Sequence, residues 1–202
     1  LQKIIEKKIT NIVFMGMGEP FLNYNNSILA ADLLHHPKGI NMGAWRITIS
    51  TAGITKKIKQ FANDAHPYKL AVSLNGSNQE QRLMTMPITK TQSFSELLEV
   101  SQYYTHQTRK RVTFEYVLMA GVNDDTVDAK NLKEILAPIN CKLNLIPYNE
   151  INGPYRRPSD TEIKLFISSL KNASFPVTVR WSKGQDIDAG CGQLATVSEV
   201  NK

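Results

Sequence analysis

The sequence predicts an α/β fold, a partial parallel barrel with helices on its outer face. Short β-rich runs alternate with segments of helical periodicity almost to the end of the chain. The segments between the runs are long enough to return the chain for parallel pairing through right-handed crossovers. Small or amide-bearing residues follow nearly every predicted strand, at the edge where parallel α/β folds bind ligands. This last observation favours a barrel over a doubly wound sheet, which shares the same local patterns.

The individual elements follow from periodicity and from residues that begin helices. β-Strands are predicted where β-rich residues cluster: Ile12–Met15, Arg46–Ser50, Leu70–Leu74, Val112–Leu118, Lys142–Ile146 and Val177–Trp181. Helices are predicted between them: Asn26–His35, Lys56–Ala65, Phe94–Gln107, Asp125–Leu136 and Ser159–Ala173. Ser159 with Glu162 matches a capping box, and Ser93 or Ser95 is placed to cap the helix that begins at Phe94.

Composition limits the classes of protein that the chain can represent. Its 202 residues, 42% hydrophobic and 21% charged, are typical of a single soluble domain, and we treat residues 1–202 as one domain with a tail from 183 to 202. No apolar stretch is long enough to span a bilayer, so we expect a cytoplasmic protein without a membrane partner. The net charge of +6 favours an anionic partner, nucleic acid first. The chain begins at Leu1 rather than at Met, so we expect its N-terminus to be incomplete.

Several predicted strands end in polar groups that suit a ligand. Gly16–Pro20 combines an adaptable backbone with a carboxylate suited to an ammonium group, yet the same residues also make a tight turn with a solvated Glu. Ser50–Gly53 and Ser73–Gly76 offer hydroxyls and an amide, although Ser and Thr at strand ends most often cap the next helix. Asn144 and Asn149 are five residues apart, so in an extended chain they face opposite sides, and we favour Asn149 as the one inside the barrel.

The two cysteines lie in different settings. Cys191 lies between glycines on a predicted loop, accessible as a nucleophile should be, whereas Cys141 begins an apolar strand and is interpreted as structural. Two thiols make a disulfide framework unlikely and exclude any metal site that needs three thiolates within this chain, while a single Cys141–Cys191 disulfide stays open. The histidines show no ligand spacing, so no metal site is predicted.

Basic clusters and tryptophans have ordinary explanations. Runs such as Arg109–Arg111 are usually solvated helix ends, so only their sum supports nucleic-acid binding. We interpret Trp45 and Trp181 as core residues rather than as stacking platforms.

Taken in this order, the motifs resemble the C-terminal two-thirds of the RlmN/Cfr family, radical S-adenosylmethionine (SAM) enzymes that methylate adenine in RNA. The resemblance runs from about Asn11 to Leu194. It is carried by Gly16–Pro20, Ile49–Thr51, Leu70–Leu74, Glu115–Leu118, Gly121–Asp124, Asn144–Asn149 and Asp186–Leu194. Each segment alone is common, and the ordered set is highly specific.

The resemblance implies a partial (β/α)6 radical-SAM barrel and a role for each motif. Gly18 and Glu19 match the segment that holds the methionine end of SAM, and the other implied SAM contacts are Ser50, Ser73, Leu74, Asn75 and Asn149. Cys191 matches the cysteine that carries the methyl group. The reaction that the resemblance implies is methylation of adenine C2 of 23S rRNA and tRNA through this methylated cysteine, with radical chemistry because the adenine carbon is too weakly nucleophilic for ordinary methyl transfer. An external electron donor is implied, and we expect a monomer.

The sequence departs from the family at three points. The CxxxCxxC motif that binds the [4Fe-4S] cluster is absent, together with the first barrel strand, the resolving cysteine and the N-terminal accessory domain. We therefore expect the cluster in the full-length protein, with its ligands outside this chain, and an inactive fragment. Asn75 stands where the family usually has His, and Gly190 replaces the usual Ala before Cys191.

Other functions stay open on the residues alone. The Cfr-type enzyme methylates adenine C8, and the sequence does not separate it from the C2 enzyme. A cluster-free barrel that binds SAM or RNA without catalysis, or a barrel enzyme unrelated to SAM, also fits the strand-end pattern.

Overall fold

A computed structural model describes residues 9–150 and 154–181. The described part contains six parallel strands: β1 (Ile12–Phe14), β2 (Ile47–Thr51), β3 (Lys69–Ser73), β4 (Val112–Leu118), β5 (Cys141–Pro147) and β6 (Val177–Val179). Its α-helices are α1 (Tyr24–His35), α2 (Thr55–Asn63), α3 (Gln79–Thr85), α4 (Phe94–Thr108), α5 (Thr126–Leu136) and α6 (Asp160–Ser169). Short 3₁₀ helices occupy Pro20–Asn23, Ala44–Arg46 and Pro87–Lys90.

The six strands form one open parallel sheet. They lie in chain order, and each strand pairs only with its neighbours in sequence. Among the described residues, no ladder joins β1 to β6, yet Arg180 after β6 places Nη1 3.6 Å from Sδ of Met15 after β1. The sheet therefore curves until its two edges face each other. This arrangement confirms the predicted partial parallel barrel.

The strands separate an apolar convex face from a polar concave face. In the four central strands, β2 to β5, alternate side chains are fully buried against the helices: Ile47, Ile49, Leu70, Val72, Val112, Phe114, Tyr116, Leu118, Leu143 and Leu145. The residues between them face the inside of the arc, among them Thr48, Lys69, Thr113 and Lys142. Because successive side chains of a strand point to opposite faces, the same strand contributes apolar residues to the core and polar residues to the cavity. The hydrophobic core thus lies between the sheet and its helices.

The helices begin where capping chemistry predicts. Ser93 with Glu96 and Ser159 with Glu162 form complete capping boxes, so Ser93 rather than Ser95 is the cap of α4. The strand predictions are confirmed with shifts of one or two residues at their ends. Helix α3 was not predicted from the sequence. Among the described residues, no helix is long and apolar enough to cross a membrane.

Candidate functional site

Two glycines open the loop that follows β1. Gly16 and Gly18 have φ angles of +141° and +82°, which L side chains rarely adopt, and no atom lies within 4 Å of the position that a Cβ would take. With Glu19 they line a cavity of about 1040 Å³ beside the free edge of β1 and helix α1. The loop therefore exposes backbone to a ligand at the predicted place.

Glu19 joins the loop after β1 to the end of β2. Its Oε1 accepts a hydrogen bond from the Phe21 backbone N–H at 2.9 Å, which caps the 3₁₀ helix. Its Oε2 accepts from the Ala52 N–H at 2.6 Å. Each carboxylate oxygen keeps a lone pair, so the group is held in place and can still accept from an ammonium ligand.

Ser50 meets a buried carboxylate on the concave face. Its Oγ donates to Oε2 of Glu115 at 3.2 Å, and both residues are buried. Burial raises the pKa of Glu115, and the opposing effects are hydrogen bonds from Ser50 and Asn144 and the positive charges of Arg180 and Lys142. The sequence analysis did not identify Glu115 as a buried charge, although a carboxylate within the strand Val112–Leu118 was a signal for one.

The amide of Asn75 joins the end of β3 to β4. Asn75 has φ of +52°, its Oδ1 accepts from the Val117 N–H at 2.9 Å, and its Nδ2 lies 3.3 Å from Sδ of Met86. The neighbouring Leu74 is fully buried in the core, and its N–H donates to the Glu115 carbonyl at 2.8 Å. Of the predicted SAM contacts, Leu74 can therefore reach a ligand only through its backbone. Ser73 is half-buried at the end of β3.

Arg82 on α3 is a further residue of this edge that the sequence did not reveal. The side chain is completely buried, and its guanidinium donates to the carbonyls of Ala52, Ser73 and Leu74. Burial lowers its pKa to about 10, so it remains charged at neutral pH. Nothing in the polar sequence of α3 distinguished this arginine from a solvated one.

Asn144 faces the interior, and the expectation that it would point away is wrong. Its Oδ1 accepts from Oγ1 of Thr178 at 3.0 Å, and the residue lines the concave cavity with Glu115. The alternation argument assumed an extended chain as far as Asn149, whereas β5 ends at Pro147. Asn149 is buried, 4% exposed, in the segment that follows the strand.

The amino-terminal half of the concave face is a basic cavity of about 740 Å³. Its cationic lining residues are Lys69, Arg109, Lys110, Arg111, Lys142 and Arg180, and its acidic one is Glu115. Within the described ranges the ion pairs are His66–Asp64 and Arg156–Glu162, so none of these six cations forms a close ion pair there, and Glu115 is the one acidic residue of the lining. A cleft lined by one sign of charge concentrates its field, which here attracts anions.

Both tryptophans are exposed, so their prediction as core residues is wrong. Trp45 is 59% and Trp181 52% exposed. Arg46 lies over the Trp45 ring, with Cζ 4.2 Å from the ring centroid, and Arg157 lies 5.5 Å from that of Trp181. These cation–π contacts explain how large rings remain stable at the surface.

The cysteine predictions divide between the two parts of the chain. Cys141 is a buried free thiol, and burial raises its pKa to about 12, which confirms a structural residue. Cys191 and the predicted tail 183–202 lie outside the described residues. No group of three His, Cys, Asp or Glu in residues 9–150 and 154–181 could hold a metal ion. Since the whole sequence has two cysteines, a three-thiolate cluster site does not fit this chain.

The fold and the site together indicate the class of protein: an open parallel sheet whose first loop is rich in glycine and carries the carboxylate of Glu19. The chain belongs to the radical SAM superfamily, whose family model matches residues 1–131. The crystal structure of a radical SAM methyltransferase from Sphaerobacter thermophilus superimposes with a TM-score of 0.90 at 42% identity, covering 95% of this chain and 56% of that one. A domain of a pyruvate-formate lyase-activating enzyme from Bacteroides vulgatus, 16% identical with a TM-score of 0.63, shares the fold alone.

Curated relatives show which members of the superfamily the chain resembles. A protein of Leptospira interrogans named "Probable dual-specificity RNA methyltransferase RlmN" is 43% identical over 98% of this chain. One of Flavobacterium psychrophilum with the same name is 44% identical over 94% of the chain. These matches confirm the resemblance to the RlmN/Cfr family. The chain spans about half the length of these relatives, 56% and 55%.

Proposed function

We propose that this chain is the barrel of an RlmN-type methyltransferase, which adds a methyl group to adenine C2 of 23S rRNA and tRNA. The observation that carries the proposal is the 43% identity, over 98% of the chain, to a protein named for RNA methylation. The order of strand-end motifs supports it, because it follows the family from the first loop onward.

The carboxyl edge of the sheet suits SAM. Gly18 exposes backbone, and Glu19 is fixed by two backbone N–H groups with lone pairs left for the ammonium of the ligand. The remaining proposed contacts are Ser50, Ser73, Asn75 and Asn149, with Leu74 through its backbone. When bound, SAM supplies both the methyl group and the source of the radical.

Cys191 is the proposed methyl carrier. The proposal rests on its place in the sequence between Gly190 and Gly192, whereas Cys141 is buried and its raised pKa keeps it protonated. We place the ligands of the [4Fe-4S] cluster outside this chain, because two cysteines do not supply three thiolates.

The charge of the chain suits an RNA substrate. The net charge of +6 and the cations of the concave cavity attract phosphate, and binding through such contacts weakens as salt rises. A cytoplasmic monomer that receives electrons from an external donor completes the proposal.

Methylation by the full-length protein tests the assignment. Purified protein, reconstituted anaerobically with SAM and reductant, is expected to methylate 23S rRNA and tRNA. The variant Cys191→Ala should lose this activity, while the matched control Cys141→Ala should keep it. Mass spectrometry and NMR of the product then identify the methylated carbon: C2 supports the proposal, and C8 would identify the Cfr-type enzyme. Full activity of Cys191→Ala would exclude a methyl carrier at this position.

A SAM-binding barrel without catalysis is the second candidate. It is favoured by one observation, the presence of the strand-end groups in a chain with two cysteines. Calorimetry of this chain with SAM, without iron, tests it. Clear binding, combined with no methylation by the reconstituted full-length protein, would favour this candidate.

A further inference from the structure

Arg82 is placed where the backbone ladder between β2 and β3 stops. The last ladder pair is Thr51 with Val72, so the next pair in register would be Ala52 with Ser73. The guanidinium lies at this position instead: Nη2 donates to the Ala52 carbonyl at 2.6 Å, and Nη1 donates to the Ser73 carbonyl at 2.7 Å. Nη1 also lies 2.9 Å from the Leu74 carbonyl. One side chain thus continues the connection between two strands that the ladder no longer joins.

The charge of Arg82 is costly for a purely structural connection. The side chain is 0% exposed, and neither ion pair of the described residues involves it. Its Nε has no hydrogen-bond partner in that part of the chain. A buried cation without an acid is unfavourable unless its hydrogen bonds compensate, and apolar residues often replace such groups without loss of stability. The arrangement fixes geometry at an energetic cost.

Two motif glycines leave room for Arg82, Gly53 for its guanidinium and Gly76 for its backbone. A Cβ at Gly53 would lie 2.9 Å from Nη2 of Arg82, and a Cβ at Gly76 would lie 2.6 Å from its backbone N. Gly53 also has φ of +111°. Both glycines follow the segments that bear the proposed SAM contacts. The glycines and the arginine therefore form one arrangement, although they are distant in sequence.

The connection extends to the first loop through one residue, Ala52. Ala52 accepts from Arg82 through its carbonyl and donates its N–H to Glu19. A displacement of the guanidinium would therefore shift Ala52 and the carboxylate that it holds. Lysine cannot replace it, because a single ammonium lacks the planar fork that reaches carbonyls on two strands at once.

We propose that Arg82 is a positioning residue of the SAM site: it fixes the spacing of the ends of β2 and β3, and through Ala52 the place of Glu19, without contacting the ligand. This inference rests on the proposed function. It adds a residue of α3 to a site otherwise built from strand-end loops.

Affinity for SAM, measured by calorimetry on the full-length protein, tests the proposal. Arg82→Lys should weaken SAM binding at least tenfold. The structural control is Ile163→Val, which shortens a buried side chain of α6. Both variants are measured at a temperature where they are folded.

Each result has a distinct meaning. Affinity of Arg82→Lys within twofold of the unaltered protein overturns the proposal, as does equal weakening by Ile163→Val. Absence of SAM binding by the unaltered protein refutes the proposed function instead. Should Arg82→Lys not fold, the unaltered protein still decides: saturating SAM should shift the Nε–H NMR signal of Arg82, and an unshifted signal overturns the positioning role.

Discussion

Removal of the Asn123 amide should destabilise the fold strongly, although the residue lies in a motif that resembles a functional one. Asn123 is 0% exposed. Its Oδ1 accepts from the Met119 N–H at 2.8 Å, and its Nδ2 donates to the carbonyls of Val117 at 2.9 Å and Asn75 at 3.3 Å. The side chain thus ties the turn after β4 to the ends of β3 and β4.

The magnitude for Asn123→Ala follows from these bonds. Each net hydrogen bond contributes about 1 kcal/mol, and a buried donor left without a partner adds about 1–3 kcal/mol. The three bonds together contribute about 3 kcal/mol and the buried Met119 N–H becomes such a donor, so we expect a loss of about 4–6 kcal/mol in the free energy of unfolding. For a chain of this size that corresponds to a Tm lower by roughly 8–24 °C.

Urea and thermal denaturation of the 202-residue chain, followed by circular dichroism, measure this loss. The matched control is Asn26→Ala, which removes an exposed amide on α1 and should change stability by less than about 0.5 kcal/mol. The m-value should be unchanged, because the same surface is exposed on unfolding. A loss below about 1 kcal/mol for Asn123→Ala would refute the reasoning, since it would mean that the freed groups find other partners.

Three further predictions concern the concave face and the core. Burial raises the native pKa of Glu115, so the folded state binds this proton more tightly than the unfolded state, and stability falls as pH rises above the ordinary pKa of Glu. Glu115→Gln should therefore raise the Tm at about pH 7.5 and lose this advantage toward about pH 4. The matched control is Glu99→Gln, which changes an exposed carboxylate and should not raise the Tm at about pH 7.5. A Tm of Glu115→Gln below that of the unaltered chain at every pH would contradict the argument. Because the pKa of Cys141 is raised to about 12, iodoacetamide at about pH 8 should leave it unmodified in the folded chain and label it in urea, as mass spectrometry of digests will show; equal labelling in both would disprove its burial. Tripolyphosphate should raise the Tm of the chain by binding the basic cavity, and Lys142→Gln should reduce that rise while Lys164→Gln on α6 should not; an equal response of both variants would place the anion elsewhere.

Periodicity was enough to predict the strands, because alternate residues of the central strands β2 to β5 are buried under helices and the edge strands β1 and β6 are also rich in β-branched residues. It was not enough for α3, whose buried residue is a charged one, Arg82, while its apolar Leu83 and Met84 are exposed. No apolar repeat exists in such a helix. The tryptophans show the same limit, since a guanidinium over Trp45 is a contact that no hydrophobic pattern encodes.

The candidate site was predictable in its place but not in its connections. Strand-end residues such as Glu19 and Asn75 were identified correctly as lying at the carboxyl edge. Their hydrogen bonds to Ala52 and Val117 depend on how neighbouring strands are set side by side, which single segments do not specify. The interior position of Asn144 was missed because its face was counted from Asn149, which lies beyond the end of β5, and not from the buried neighbours Leu143 and Leu145.

The division of each strand into an apolar and a polar face separates two kinds of mutational freedom. Inward-facing residues such as Thr48 and Lys142 line the cavity, and their neighbours in the same strands, such as Ile49 and Leu143, pack against the helices. Substitution in the first set alters what the arc can bind while the packing that keeps it folded is untouched. Evolution could therefore change the ligand of the cavity one residue at a time, without first needing mutations that stabilise the fold.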